Sequence, residues 1–134
     1  MKKIKKALIS VSDKKNLKQL LKVLTKHKIK LISSGGTFRE IKKLKFKCLE
    51  VSEYTGFPEI LDGRVKTLHP KIHAGILSKR NNRSHVKDLK NNNFDEIDLV
   101  IVNFYPFEKT LKQTNNHLKI IENIDVGGPT MVRA

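Results

Sequence analysis

The run Leu99-Val100-Ile101-Val102 constrains the fold of this chain more than any other four residues. It is apolar without the alternation of a half-solvated strand, so it predicts a central strand over residues 98–104, covered on both faces. Strands of that kind belong to parallel sheets, whose neighbours are joined by crossover helices. The rest of the chain supplies the pieces. Residues 5–12, with Ala7-Leu8-Ile9 and Val11, predict a first strand, and Leu31-Ile32-Ser33 a short second one. Between them Leu17, Leu20, Leu21 and Leu24 recur at helical spacing, with Lys14, Lys15, Lys18, Lys22 and Lys26 on the other face.

Ser12 or Asp13 is the expected N-cap of that helix, and Thr37 that of a brief helix holding Ile41 and Leu44. Residues 47–51 predict a third strand containing Cys48, and residues 74–77 a further buried one. Residues 52–70 read as irregular, broken by Gly56, Pro58, Gly63 and Pro70, with a helical turn at residues 59–61. Residues 81–93 predict a surface helix and residues 118–121 another. Tyr105-Pro106-Phe107 ends the central strand, and Gly127-Gly128-Pro129 opens a last helix. The expected architecture is a single α/β domain over residues 1–134, a parallel sheet with helices on both faces.

Composition narrows the function classes. The net charge is +15, but its cations are 23 lysines against 5 arginines, spread without a block. Eight aromatic residues do not interleave with them as a nucleic-acid stacking platform requires. The expected partner is therefore not nucleic acid. The charge is available to speed encounters with anionic small molecules. No apolar run approaches the ~20 residues that span a bilayer, and Ala7-Leu8-Ile9 is too short for a secretory signal. With one cysteine and neither signal nor span, the expected location is the cytoplasm, without a membrane partner.

In open parallel sheets ligands bind beyond the carboxyl ends of the strands. Three such ends carry suggestive residues: 10–14, 33–37 and 103–106. Ser34-Gly35-Gly36-Thr37 offers backbone amides, two hydroxyls and a helix N-terminus to an anion, or else an ordinary Gly-Gly turn. Ser10, Ser12 and Lys14 on the neighbouring strand end favour phosphate. Arg64, Lys66 and Thr67 form either a solvated basic loop or, if extended, a clamp with both cations on one side. His69 and His73 have metal-binding spacing, but Pro70 speaks against a helix through them and no third ligand is evident, so no metal is expected. Asp125 is a candidate base or a helix N-cap. Tyr105 is a candidate donor to substrate or a core aromatic.

Several longer runs resemble a known family. They are Leu8-Ile9-Ser10-Val11-Ser12-Asp13-Lys14, Ser33-Ser34-Gly35-Gly36-Thr37, and Val51-Ser52-Glu53-Tyr54-Thr55-Gly56-Phe57-Pro58-Glu59. Others are the uninterrupted stretch 63–77, Asn103-Phe104-Tyr105-Pro106-Phe107, and the stretch 124–134. Together they resemble the IMP cyclohydrolase domain at the N-terminus of the bifunctional purine biosynthesis proteins, which also carry AICAR formyltransferase. The resemblance implies a methylglyoxal-synthase-like fold and closure of formyl-AICAR to IMP with loss of water. It implies neither metal nor organic cofactor for that step; folate would belong to the formyltransferase domain, which these residues do not include. It implies that Ser12, Asp13, Lys14, Ser34, Gly35, Gly36, Thr37, Arg64 and Thr67 hold the nucleotide. Lys66 would stabilise charge on the formyl oxygen. Asn103, Tyr105 and Asp125 would lie near the base, with Asp125 in proton transfer; Ser10, Gly127 and Gly128 complete the candidate set.

The family continues after Arg-Ala into an Ala-Lys-Asn-His stretch with a catalytic lysine, whereas this sequence stops at Ala134. The expectation is a sheet lacking its last elements, weak nucleotide binding, poor turnover, and a homodimer only as far as the family's interface is present. The alternative is a non-catalytic nucleotide-binding regulatory module of the same fold. Methylglyoxal synthase itself fits less well, because its Gly-Asp-Gly-type motif is absent from the sequence.

Overall fold

A computed structural model describes residues 3–134. The chain alternates strand and helix as expected: β1 (Lys6–Val11), α1 (Leu17–Lys26), β2 (Lys30–Ser33), α2 (Gly35–Lys43) and β3 (Leu49–Glu50). Then come α3 (Val51–Thr55), a 3-10 turn (Leu61–Gly63), α4 (Pro70–Leu77), α5 (Arg83–Asn91) and β4 (Leu99–Asn103). Three short helices close it: α6 (Phe107–Gln113), α7 (His117–Glu122) and α8 (Gly127–Arg133). The strands pair in parallel in the order β3-β2-β1-β4.

Two apolar clusters sandwich the sheet. Ala7, Ile9, Val11 and Leu31 face α1 and α2 through Leu17, Leu21, Leu24 and Ile41. Leu8 and Ile32 point the other way, against Val51 and Tyr54 of α3, Ile72 of α4 and Met131 of α8. Helices on both faces follow from that alternation of strand side chains, each apolar. The β4 run obeys the same rule: Leu99 and Ile101 join the first cluster, Val100 and Val102 the second. Its place is different from expectation. β4 is an edge strand among the described residues, with its four apolar side chains half-buried and Asn103 exposed.

Other expectations need correction. Residues 74–77 belong to a helix, not a strand: His69 is the N-cap of α4, its Nδ1 accepting from Lys71 N at 3.1 Å, and Pro70 takes the first turn, where no amide hydrogen is needed. Pro70 thus starts a helix through His73 instead of preventing one. The cap of α1 is Asn16, in the left-handed region at φ 62°, not Ser12 or Asp13. Thr37 lies inside α2, whose cap position is Ser34. The third strand is two residues long, with half-buried Cys48 just before it, and Val51 already opens α3. α6 follows directly at Phe107, where the sequence predicts only the end of the central strand.

Candidate functional site

The sheet order places a topological switch point between β1 and β4, because the chain leaves β1 towards β2 and β3 and returns on the far side. The carboxyl ends at that point are locked by one side chain. Asn103, ending β4, accepts from Ser12 N at 2.6 Å and Asp13 N at 3.0 Å through Oδ1, and donates to Asp13 O at 2.8 Å through Nδ2. Asn103 therefore uses its amide to shape the β1–α1 loop. Lys14 is folded back on that loop, donating to Ser12 O at 3.1 Å.

Beside it, β2 ends and α2 begins at a close backbone turn. Gly35 has φ +52°, a conformation that favours glycine. A Cβ there would also stand 2.7 Å from Lys66 Nζ, so the missing side chain lets an ammonium rest on the backbone. A Cβ on Gly36 would lie 3.8 Å from Lys14 Nζ and 3.9 Å from an Arg39 nitrogen. Three cations thus surround the start of α2, where the first amide hydrogens of a helix have no partner in the helix itself.

The hydroxyls of this corner divide into two kinds. Ser33 donates to Ile9 O at 2.7 Å. Thr37, buried, accepts from Val11 N at 3.1 Å and donates to Val11 O at 2.9 Å, which ties α2 to β1. That hydroxyl is spent on the fold, so Thr37 can offer an anion only its amide. Ser34 makes no capping bond with its side chain and keeps its hydroxyl uncommitted. Ser10 lies within β1 opposite Val102, short of the loop.

Residues 61–67 are turns, not an extended clamp, and Arg64 has helical dihedrals (φ −67°, ψ −24°). Its guanidinium donates to Glu122 of α7 at 2.7 Å, to Asp62 at 3.2 Å and to Leu61 O at 3.0 Å. Those bonds, Glu122 first, hold Arg64 charged even more firmly than usual. Arg64 and Lys66 therefore do not act from one side, and Thr37, Arg64 and Lys66 do not meet as three free donors. Lys66 and Thr67 do reach the rim. A Cβ on Gly127 would stand 2.8 Å from Thr67 Oγ1, which brings the 122–128 segment to the same corner. Asp125 Oδ1 accepts from Gly128 N at 2.9 Å, so the carboxylate steadies the start of α8 with one oxygen and keeps the other. Gly128 is buried against Phe104 and Asp125. Tyr105 follows β4 with an exposed ring, and its hydroxyl bonds no described residue.

Sequence reading missed four participants: Glu59 on Lys66, Glu122 on Arg64, Arg39 over Gly36 and Phe104 against Gly128. Nothing in local pattern marks them, since each acts through a contact distant in sequence or across a turn. His69 is occupied as a cap, whereas His73 Nε2 is buried without a partner. No group of three metal-ligating side chains occurs among the described residues.

A profile of the MGS-like domain family matches residues 16–130, and the chain belongs to that family. It is 52% identical over 132 residues to the bifunctional purine biosynthesis protein PurH of Acetivibrio thermocellus, covering 98% of this chain and 26% of that protein. The PurH of Magnetococcus marinus is 50% identical over 135 residues, 100% of this chain and 25% of the relative. The chain therefore spans about a quarter of the length of these curated relatives. The crystal structure of ForH superimposes with a TM-score of 0.81 at 30% identity, over 97% of this chain and 66% of that one. The chain is thus homologous to part of a purine biosynthesis enzyme. No helix among the described residues is long and apolar enough to cross a membrane.

Proposed function

We propose that the β1–β4 crevice binds a purine nucleoside monophosphate and that this chain carries the IMP cyclohydrolase site of its PurH relatives. The observation that carries the reading is the ammonium of Lys66 lying on Gly35, beside Lys14, at the open start of α2. Amides of residues 35–37, the free Ser34 hydroxyl and Lys14 form the phosphate grip. Arg64 joins it on exchanging Glu122 for phosphate. Asn103 holds the loop of Ser12 and Asp13 at the sugar, with Ser10 behind it. Thr67 and Gly127 set the distance between grip and carboxylate, and Tyr105 closes over the base.

In the reaction the carboxamide nitrogen of formyl-AICAR attacks the formyl carbon, and the carbonyl electron pair moves onto oxygen. Lys66 stabilises that developing oxyanion. Asp125 accepts the proton lost by the attacking nitrogen, using the oxygen not bound to Gly128. The formyl oxygen leaves as water with one proton from the carboxamide nitrogen and one from the formamide nitrogen, giving IMP. The step calls for no metal or organic cofactor, and this site is distinct from any formyltransferase site in a longer protein.

Calorimetric titration with IMP and with inosine tests the grip. IMP is expected to bind at least about tenfold more tightly than inosine, since a charged hydrogen-bonded phosphate is worth roughly 1.4 kcal/mol or more. Lys14→Ala should remove most of that margin, whereas Lys66→Ala should slow ring closure and leave most of it. Equal affinity for the two ligands overturns the assignment. Tight IMP binding with no IMP formed from formyl-AICAR supports the non-catalytic nucleotide-binding module instead.

A further inference from the structure

We infer that Glu59 is a positioning residue for Lys66, an inference that rests on the nucleotide-binding reading above. Glu59 Oε1 stands 3.5 Å from Lys66 Nζ; the Lys66 side chain is half-buried at 29% exposure, and Glu59 reaches it from the surface at 39%. The pair is fitted between two glycines with left-handed backbones. Gly63, at φ +83°, has no room for a Cβ, which would collide with Glu59 Oε1 and stand 3.1 Å from Lys66 Nζ. Gly35, at φ +52°, leaves the other side of the ammonium open to the start of α2. Lys66 Nζ is thus confined between a carboxylate and the backbone that would meet the phosphate.

A carboxylate at this place opposes a dianionic ligand, since like charges at short range repel. Its contribution is therefore not affinity. A lysine side chain has four flexible bonds and, left alone above an anion, collapses onto it. Glu59 holds the ammonium in one direction and shares its charge, which keeps Lys66 from being consumed as one more phosphate ligand.

Two measurements on the intact chain test this, each with Glu59→Gln and Glu59→Asp. In the unliganded protein, acylation of Lys66 by a neutral amine reagent, followed by peptide mass spectrometry, should be several-fold faster in Glu59→Gln and close to wild type in Glu59→Asp. In calorimetry, Glu59→Gln should bind IMP about three- to tenfold more tightly, while Glu59→Asp stays near wild type. A carboxylate with only a structural role would weaken IMP binding and lower the melting temperature on removal, and that outcome overturns the inference. Unchanged labelling of Lys66 also overturns it. If labelling accelerates in a chain whose wild type binds no IMP, the nucleotide reading falls and Glu59 loses its positioning role with it.

Discussion

The two ends of the sheet use charge in opposite ways. At the amino ends of the strands Arg80, Lys6, Asp95 and Asp98 are all engaged in bonds within the fold. Arg80 donates to the carbonyls of Ser78 at 2.6 Å, Ile97 at 2.7 Å, Ile76 at 3.3 Å and Gly75 at 3.4 Å, and lies 3.5 Å from Glu96. Asp98 accepts from Lys5 N and Lys6 N, and Lys6 Nζ meets Asp95 at 2.6 Å. That bond holds the Asp95 carboxyl below the usual range. The ring of Tyr54 lies between the Lys6 and Lys71 ammonium groups, at 5.1 and 5.0 Å. At the carboxyl ends Lys66 has a partner only at 3.5 Å, Ser34 none for its hydroxyl, and Asp125 one oxygen to spare. The charged groups at the amino ends have used their bonding capacity on the fold, whereas those at the carboxyl ends keep capacity that the proposed ligand would use.

Substitutions at the two ends should therefore separate stability from binding. The largest effect is expected from Arg80→Met, which strips the α4 carboxyl end of its guanidinium and removes the donor to Ile97 O. Urea denaturation should show a loss of about 3 kcal/mol, with IMP affinity in the folded protein within about twofold of wild type. Weak IMP binding at full stability in Arg80→Met would break the contrast.

The hydroxyl pair sharpens it within one corner. Thr37→Val leaves Val11 N and O unpaired and should cost about 1–2 kcal/mol of stability. Ser34→Ala should change stability by less than about 0.5 kcal/mol and weaken IMP by about threefold or more. Exchange of these two outcomes would mean that the committed and the free hydroxyl have been assigned the wrong way round.

The smallest effect concerns alkaline pH. Burial pushes the Cys48 thiol from 9.0 up to about 12, against the opposing charge of Lys42. Burial likewise pushes the Tyr54 phenol from 10.0 up to about 12, aided by Asp95. Both stay protonated in the folded chain while the unfolded chain releases its protons from about pH 9, so stability falls as pH rises towards 12. Between pH 8 and 10.5 the loss should be about 1 kcal/mol, reduced from the full linkage value because the thiol is only half-buried. Cys48→Ala should remove the earlier part of that decline.

Legibility differed by element for physical reasons. The strands and α1 were readable because side chains on two faces of a parallel sheet leave an apolar run, and one face of a helix leaves a 3.6-residue period. The apolar run Ala74-Gly75-Ile76-Leu77 has the same look as a buried strand and is a helix, since four apolar residues do not fix a period. What decides it lies just upstream, in the His69 cap and Pro70. Within the site, the glycines, Lys14, Lys66 and Asp125 stood out by residue type. The roles of Asn103 and Thr37 as internal ties did not, because a side-chain amide or hydroxyl looks the same in sequence whether it bonds a ligand or a backbone 26 or 91 residues away.

The sequence by itself determined the family, the parallel order of strand and helix, and the set of small and charged residues gathered beyond the strand ends. Periodicity and residue type are local properties, and they survive in one dimension. Only the tertiary structure decided which donors remain free, that Lys66 rather than Arg64 rests on the glycine turn, and that Glu59 stands beside it. Those outcomes depend on pairings between distant segments, and the same side chain is a ligand or a tie according to which neighbour the fold delivers first.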